Sequence, residues 1–141
     1  MVQDETHRRP LIDVLSSGRP EAAQVMEAVR TALNNSGARS RELVGAELNR
    51  LFSADREPSG EPAEGFVVVY DPDDSILNYA LGNLRGMRRP VLLVVLKEDG
   101  RKIAFDLREF RFAIFDAMDP EGSTMQINWA IRLLVDRPAA A

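Results

Sequence analysis

No cysteine occurs among the 141 residues of the chain, and His7 is the one histidine. The absence of cysteine excludes disulfide bonds and thiolate metal sites. Catalysis by a Ser-His-Asp or Cys-His arrangement would need His7 to fold back from the N-terminus, and termini are commonly the least ordered part of a domain. The sequence therefore predicts no metal site and no cofactor.

Long apolar segments are also missing. The longest apolar run, residues 91–96, is far shorter than the roughly 20 residues that a transmembrane helix needs. Residues 1–10 are largely charged or polar and lack the apolar core of a signal peptide. These features predict a cytoplasmic protein without a membrane partner.

Positive charge is in slight deficit, with a formal net charge of −4. This balance argues against a dedicated nucleic-acid binder, because such domains usually carry a clustered positive excess. The composition, 45% hydrophobic and 28% charged, is that of an ordinary globular protein. The length fits one domain, predicted over residues 11–137, with a flexible N-terminal segment at 1–10 and a tail at 138–141.

The first half of the chain begins with an apolar run at residues 11–15, which indicates a buried strand, and continues into a turn-forming Ser-Ser-Gly. Apolar residues then recur at helical spacing between Pro20 and Gly37. Ser40 is suited to cap a second helix, which leaves the second strand of a doubly wound fold short or missing. The apolar side of that second helix would be Leu43, Val44, Leu48, Leu51 and Phe52.

Residues 53–65 are rich in proline, glycine and charge and predict a surface linker. After it, residues 66–70 form a continuous β-branched and aromatic run, residues 76–84 have helical periodicity, and residues 91–96 are apolar again. This order predicts a right-handed βαβ unit with parallel strands.

The last part of the chain predicts a short extended piece at residues 103–105, a strand at 110–115 and a closing helix that starts at Asp119 and Pro120 or at Ser123. Strands that alternate with helices predict a three-layer α/β/α sandwich with a mainly parallel, four- to five-stranded sheet.

Four segments of the second half carry a family resemblance. In chain order they are Phe66-Val-Val-Val-Tyr-Asp71, Asn78-Tyr-Ala-Leu-Gly82, Arg89-Pro-Val91 and Ala104-Phe-Asp-Leu-Arg-Glu-Phe-Arg111. Through these segments the chain resembles the nucleoside 2-deoxyribosyltransferase superfamily and related TIR-like nucleotide-processing domains over about residues 66–137. The resemblance implies a flavodoxin-like or TIR-like fold, a nucleoside, nucleotide or NAD-like ligand, and assembly as a homodimer.

The main departure from the family pattern is at Ala80, where the resemblance implies the catalytic glutamate. Cleavage of an N-glycosidic bond develops positive charge on the sugar, and a methyl group can neither stabilise this charge nor form a covalent intermediate. Three explanations remain open. The domain is a natural pseudoenzyme, the glutamate has been replaced by engineering, or Asp71, Asp73 or Asp74 has taken over its role.

Candidate ligand-binding residues follow from topology, because ligands of open parallel sheets lie beyond the carboxyl ends of the strands. Ser16, Ser17 and Gly18 follow the first predicted strand, and their alternative explanation is an ordinary turn at the entry to a helix. The second group follows the strand at 66–70 and comprises Asp71, Asp73, Asp74 and Ser75.

For Asp71, contact with a ligand and a structural role are equally compatible with the sequence, whereas Asp74 and Ser75 suit a helix cap. Asn78 and Tyr79 match the family helix and could line the pocket, although tyrosine on a helix that faces a sheet commonly packs. Trp129 fits the core or a subunit contact.

Basic residues after this helix, Arg85, Arg88 and Arg89, suit a solvated helix end. Arg111 beside Phe110 fits either an anion contact or a salt bridge to Asp106 or Glu109.

Two functional hypotheses of different classes follow. The first is a binding or signalling domain with a nucleotide-type pocket and no turnover, in a bacterial stress or defence system. The second is an N-glycosidic-bond enzyme, a deoxyribosyltransferase, nucleotide N-glycosidase or NAD hydrolase, that is inactivated at position 80. A structural or oligomerisation domain without a ligand is a further alternative.

Overall fold

The computed structural model describes residues 9–48, 61–71, 73–97 and 110–136. Five strands and three helices lie in these ranges, together with single 3₁₀ turns at Pro20–Ala22 and Gly45–Glu47. The strands are β1 (Leu11–Ser16), β2 (Arg39–Val44), β3 (Gly65–Tyr70), β4 (Val91–Lys97) and β5 (Arg111–Asp116). The helices are α1 (Ala23–Asn35), α2 (Ser75–Leu84) and α3 (Pro120–Val135).

All five strands pair in parallel in one sheet, in the order β2-β1-β3-β4-β5. Helices cover both faces of the sheet, so the three-layer α/β prediction and its parallel sheet are confirmed. The strand order is that of the flavodoxin-like variant of doubly wound folds, in which the connections change direction between β1 and β3.

Two apolar clusters hold the layers together, one on each face. Alternate residues of the central strands point to opposite faces, as the pleat requires, so Val14 packs in one cluster and its neighbour Leu15 in the other. Helices α1 and α3 pack on the first face and on each other, and α2 packs on the second. The continuous apolar strands β3 and β4 are therefore buried on both sides.

The structure corrects one element of the sequence analysis. Residues 39–44 form strand β2, parallel to β1, and not the helix predicted from a cap at Ser40. The prediction failed because Leu43, Val44 and Leu48 have a spacing that also suits a helix, whereas the register of Ser40 with Ile12 depends on a strand far away in the sequence. Leu51 and Phe52 lie outside the described residues.

Charged side chains explain why this polar segment is stable as an edge strand. Arg41 donates two hydrogen bonds to Asp13 on β1, at 2.8 and 3.1 Å. Glu42 accepts from Arg30 on α1 at 2.6 and 2.9 Å, which lowers the pKa of Glu42. Because these partners belong to other elements, the strand is stabilised by tertiary contacts that local periodicity does not reveal.

Helix boundaries agree with the predicted signals. Asp74 caps α2 by accepting from the amide of Leu77, and Asp119 caps α3 by accepting from Gly122. Helix α3 thus begins at Pro120, the first of the two predicted starts.

Several predictions fall partly or wholly outside the described ranges. They concern the extended piece at 103–105, most of the linker at 53–65, most of the N-terminal segment and the tail. Within the described end of that linker, Ala63 is buried and Gly65 already belongs to β3. None of the helices in the described ranges combines the length and the apolar character that a bilayer crossing requires.

Adjacent residues on α2 provide a test of this packing. Leu77 is fully buried in the second cluster, whereas its neighbour Ile76 is 38% exposed. We expect Leu77→Ala to lower the free energy of unfolding by about 2–5 kcal/mol, since it removes buried methyl groups and leaves a cavity. Ile76→Ala should cost about 0.5 kcal/mol. Urea unfolding followed by circular dichroism measures both values, and equal losses would contradict the assigned face of α2.

Candidate functional site

The switch point of the sheet lies between the carboxyl ends of β1 and β3. These two strands are direct neighbours, paired from Ile12 with Gly65 to Leu15 with Val68. The helix after β1 packs on one face of the sheet and the helix after β3 packs on the other. The two connecting loops therefore leave on opposite faces, and open α/β sheets bind their ligands between two such loops. We call this place between the loops the switch-point cleft.

The first loop comprises Ser16, Ser17, Gly18 and Arg19, and its conformation is held by its own side chains. The Ser16 hydroxyl accepts from the Gly18 amide at 3.1 Å, and the Ser17 hydroxyl accepts from the Arg19 amide at 3.4 Å. Gly18 has a φ of 82°, and a Cβ there would come within 2.7 Å of Val44. The position therefore requires glycine for both its dihedral angle and the close approach of β2.

Asp71, at the end of β3, connects the two loops. Both of its carboxylate oxygens accept from a guanidinium nitrogen of Arg19 at 3.0 Å, and one also accepts from the Asp73 amide at 3.0 Å. Burial, with 7% of the residue exposed, raises the pKa of Asp71, but these bonds and one with the Ser17 side chain lower it by more. The net pKa of Asp71 is below its ordinary value, so at neutral pH this carboxylate is charged.

Arg19 is the residue of this site that the sequence analysis missed. It bonds Asp71 and Glu21 and comes within 3.9 Å of Asp73, yet its side chain stays 40% exposed. A guanidinium has five N–H donors, so Arg19 keeps donors for a ligand at the mouth of the cleft. Its position directly after Ser-Ser-Gly was the available signal, but its partner is 52 residues away.

The other residues that follow β3, Asp73, Asp74 and Ser75, differ in their contacts and in their exposure. Asp74 caps α2, and the Asn78 side-chain amide donates to the Asp74 carbonyl at 2.9 Å. Asp73 and Ser75 are exposed at the start of the helix. Asp74 therefore has the capping role that the sequence favoured for it, whereas Ser75 is the first residue of the helix and not its cap. Asp73 and Ser75 are exposed in the same loop as Asp71.

Tyr79 and Ala80 lie on different sides of α2. Tyr79 is 66% exposed, whereas Ala80 has no exposed surface and packs in the apolar cluster beneath the helix. A group without accessible surface cannot touch a ligand in a water-filled cleft unless the packing changes. The structure thus groups Ser16, Ser17 and Gly18 with Asp71 at one cleft and leaves Ala80 inside the core.

Basic residues occur together at the opposite edge of the sheet, near the amino ends of β4 and β5. Arg85, Arg88, Arg89 and Arg111 line a groove there. Arg85 lies over the ring of Phe110, 6.0 Å from its centroid. Asp106 and Glu109, the alternative partners of Arg111, lie outside the described residues, and Trp129 is exposed on α3 and is not part of the core.

In chemical terms, this place offers the half-buried Ser17 hydroxyl, the accessible guanidinium of Arg19 and the carboxylates of Asp71 and Asp73. These groups suit the recognition of hydroxyls and of an anion. In the ranges that the structure describes, no group of three or more histidine, cysteine or acidic side chains could hold a metal ion.

Fold and site together define a parallel, doubly wound α/β domain of the flavodoxin-like strand order with charged and polar side chains at its switch point. A scan against protein-family models gives no match for this chain, and a search of curated proteins gives none either.

The acid dependence of stability tests the environment of Asp71. Because the folded-state pKa is lower than the unfolded one, the carboxylate contributes stability above about pH 4, which is lost as the pH falls through the lowered folded-state pKa. We expect Asp71→Asn to lower stability at pH 7 and to reduce the loss of stability on acidification. Thermal unfolding between pH 7 and pH 3 measures both effects.

Asp73→Asn is the matched control at pH 7, because Asp73 is exposed and its approach to Arg19 is the longer one. It should cost much less stability than Asp71→Asn. Equal costs, or an unchanged acid dependence for Asp71→Asn, would contradict the assigned role of the Arg19–Asp71 contact.

The burial of Ala80 gives a second prediction. Ala80→Glu places a carboxyl group in the apolar cluster, so it should lower the free energy of unfolding by roughly 3 kcal/mol. Gly82→Glu is the control on the same helix, since nothing lies within 4 Å of a Cβ at Gly82. It should raise stability by up to about 1 kcal/mol through helix propensity. Urea unfolding measures the free energy of unfolding of both variants. A stable Ala80→Glu variant would show that position 80 can open to solvent.

Proposed function

We propose that this chain is a nucleoside- or nucleotide-recognising domain that binds its ligand at the switch-point cleft and acts in binding or signalling without catalysis. One observation carries the proposal. The Ser17 to Arg19 loop after β1 meets Asp71 after β3, so donors and an acceptor from two neighbouring strands converge at the edge where this class of fold binds ligands.

The groups at the cleft are complementary to the parts of a nucleotide. The exposed guanidinium of Arg19 suits a phosphate, because guanidinium groups bind phosphate oxygens through paired N–H donors. The carboxylates of Asp71 and Asp73 are acceptors for ribose hydroxyls. The bond between Arg19 and Asp71 holds both side chains in place before a ligand binds. The entropy cost of ordering these side chains on binding is therefore reduced.

Two features support binding without turnover. Position 80, which the resemblance associates with the catalytic carboxylate, holds a methyl group with no exposed surface. The carboxylate nearest to the cleft, Asp71, is held by Arg19 and by the Asp73 amide, so it is poorly placed to approach the anomeric carbon of a sugar.

Self-association belongs to the same proposal. Met125, Trp129 and Leu133 follow one another at four-residue spacing on α3, and all three are exposed. Residues at this spacing share one helix face. An exposed apolar face of this kind suits a protein contact, and a second copy of the chain is the partner that we propose for it.

Ligand-dependent stabilisation tests the proposal. Thermal unfolding is measured with the chain alone and with deoxynucleosides, nucleoside phosphates and NAD. A ligand at 100 times its Kd should stabilise the fold by about 2.7 kcal/mol. We expect stabilisation by at least one of these compounds and its loss in Arg19→Gln and Asp71→Asn.

Lys97→Gln is the control variant, because it removes one exposed positive charge at β4, outside the two loops of the cleft. It should leave the stabilisation unchanged. Stabilisation that survives Arg19→Gln and Asp71→Asn would place the ligand elsewhere. No stabilisation by any compound would favour a structural domain without a ligand, and release of a free base by the unaltered chain would contradict the absence of catalysis.

A further inference from the structure

A groove of about 620 Å³ lies at the amino ends of β4 and β5, at the edge of the sheet opposite to the switch-point cleft. Its volume is in the range of about 300–1,000 Å³ that is typical of small-molecule sites. Its walls are formed by the end of α2, the connection to β4, the start of β5 and the end of α3. We call it the arginine groove, after its lining residues Arg85, Arg88, Arg89 and Arg111.

The charge of this groove is opposite to that of the chain as a whole. The chain has a net charge of −4, yet four guanidinium groups line the groove and no carboxylate does among the described lining residues. Neighbouring like charges repel one another, and an anion bound between Arg88 and Arg111 would reduce this repulsion.

Several described arginines outside the groove have a carboxylate partner. Arg30, Arg39 and Arg41 each pair with a carboxylate, namely Glu42, Glu61 and Asp13. Within the described part of the chain, neither Arg88 nor Arg111 has a carboxylate within ion-pair distance. Arg89 donates to the carbonyl of Ala63 at 2.8 Å, which fixes its side chain and uses one of its five donors.

The backbone at Arg88 is a second, independent observation. Its φ is 37°, and it is the one residue other than glycine with a positive φ in the described ranges. Residues with a Cβ adopt this left-handed conformation at a cost, and such outliers cluster at functional sites. Here the conformation places a guanidinium group at the wall of the groove.

Apolar groups complete the lining. Leu84, Pro90, Val91 and Leu134 border the groove together with the ring of Phe110, over which Arg85 lies. A lining of guanidinium groups and an apolar surface fits a ligand with one strongly anionic end and one flat apolar body. Guanidinium groups bind phosphate oxygens through paired donors, and an aromatic body can pack beside Arg85 against the half-buried Phe110 ring and the apolar side chains.

We propose that the arginine groove is a binding site for a small aromatic phosphate, with the phosphate on Arg88 and Arg111 and the aromatic body against Phe110 and the apolar wall. The site is separate from the switch-point cleft and does not depend on the function proposed for it. The arginines Arg30, Arg39 and Arg41 outside the groove are paired with carboxylates, which favours a small molecule over a strand of nucleic acid.

The test is calorimetric titration of the full chain with 1-naphthyl phosphate at physiological ionic strength, beside 1-naphthol and inorganic phosphate. We expect saturable binding of the aryl phosphate at least about tenfold tighter than that of either fragment, because only the aryl phosphate uses both the charged and the apolar wall. Arg88→Gly and Arg111→Gln should each weaken binding about tenfold through the loss of a charge-assisted contact.

Arg88→Gly separates binding from folding. Glycine adopts a positive φ without strain, so this variant should unfold at the same temperature as the unaltered chain or higher while it binds the probe less tightly. Lys97→Gln removes one positive charge at the far edge and Arg19→Gln alters the cleft, and both should bind the probe normally. These results together would support binding of the aryl phosphate in the arginine groove.

Four results would overturn the proposal. They are no saturable binding of 1-naphthyl phosphate, binding that Arg88→Gly and Arg111→Gln leave unchanged, binding that only Arg19→Gln abolishes, and tighter binding of a single-stranded oligonucleotide with a steep salt dependence. The third would assign the probe to the cleft, and the fourth would make the groove a nucleic-acid surface. Failure of the cleft proposal leaves these outcomes unaffected, since each site has its own variants.

Discussion

The parallel pairing of β1 with β3 is the constraint on which the rest of this structure depends. It joins the two halves of the sheet, and because α1 and α2 leave on opposite faces, the loops after these strands separate at one edge. The same pairing brings Arg19 to Asp71 across 52 residues of sequence. The site is thus a consequence of topology, and its side chains add charge and hydrogen bonds to a cleft that the backbone creates.

Arginine–carboxylate contacts hold the edges of this fold in register. Arg41 satisfies the buried Asp13 in the middle of the sheet, and Arg30 connects the edge strand β2 to α1. Among the described residues, no buried side-chain nitrogen or oxygen lacks a hydrogen-bond partner. Such complete pairing is required because an unpaired buried charge costs far more than a paired one gains. In the arginine groove, by contrast, Arg88 and Arg111 are exposed and have no carboxylate within ion-pair distance among the described residues, which is one reason to propose a site there.

How far the sequence could predict the fold depends on how local each signal is. The strands β1, β3 and β4 were predictable because apolar runs of five or six residues, interrupted only by Asp13 in β1, are typical of strands that are buried on both faces. Strand β2 was not, since its polar residues become favourable only when Asp13 and Arg30 are in contact with them. The loops of the candidate site were located from strand ends alone, but Arg19 was missed because its carboxylate partner is distant in sequence.

The amino-acid sequence by itself determined the alternation of strands and helices, the parallel sheet, and the caps at Asp74 and Asp119, because these follow from periodicity and from contacts within a few residues. Only the tertiary structure decided the place of β2 at the sheet edge, the contact of Arg19 with Asp71, the burial of Ala80 and the gathering of four arginines in one groove. These features depend on which distant segments become neighbours in the fold. Burial and charge pairing across the sheet arise only when the layers assemble, so a local sequence pattern cannot predict them.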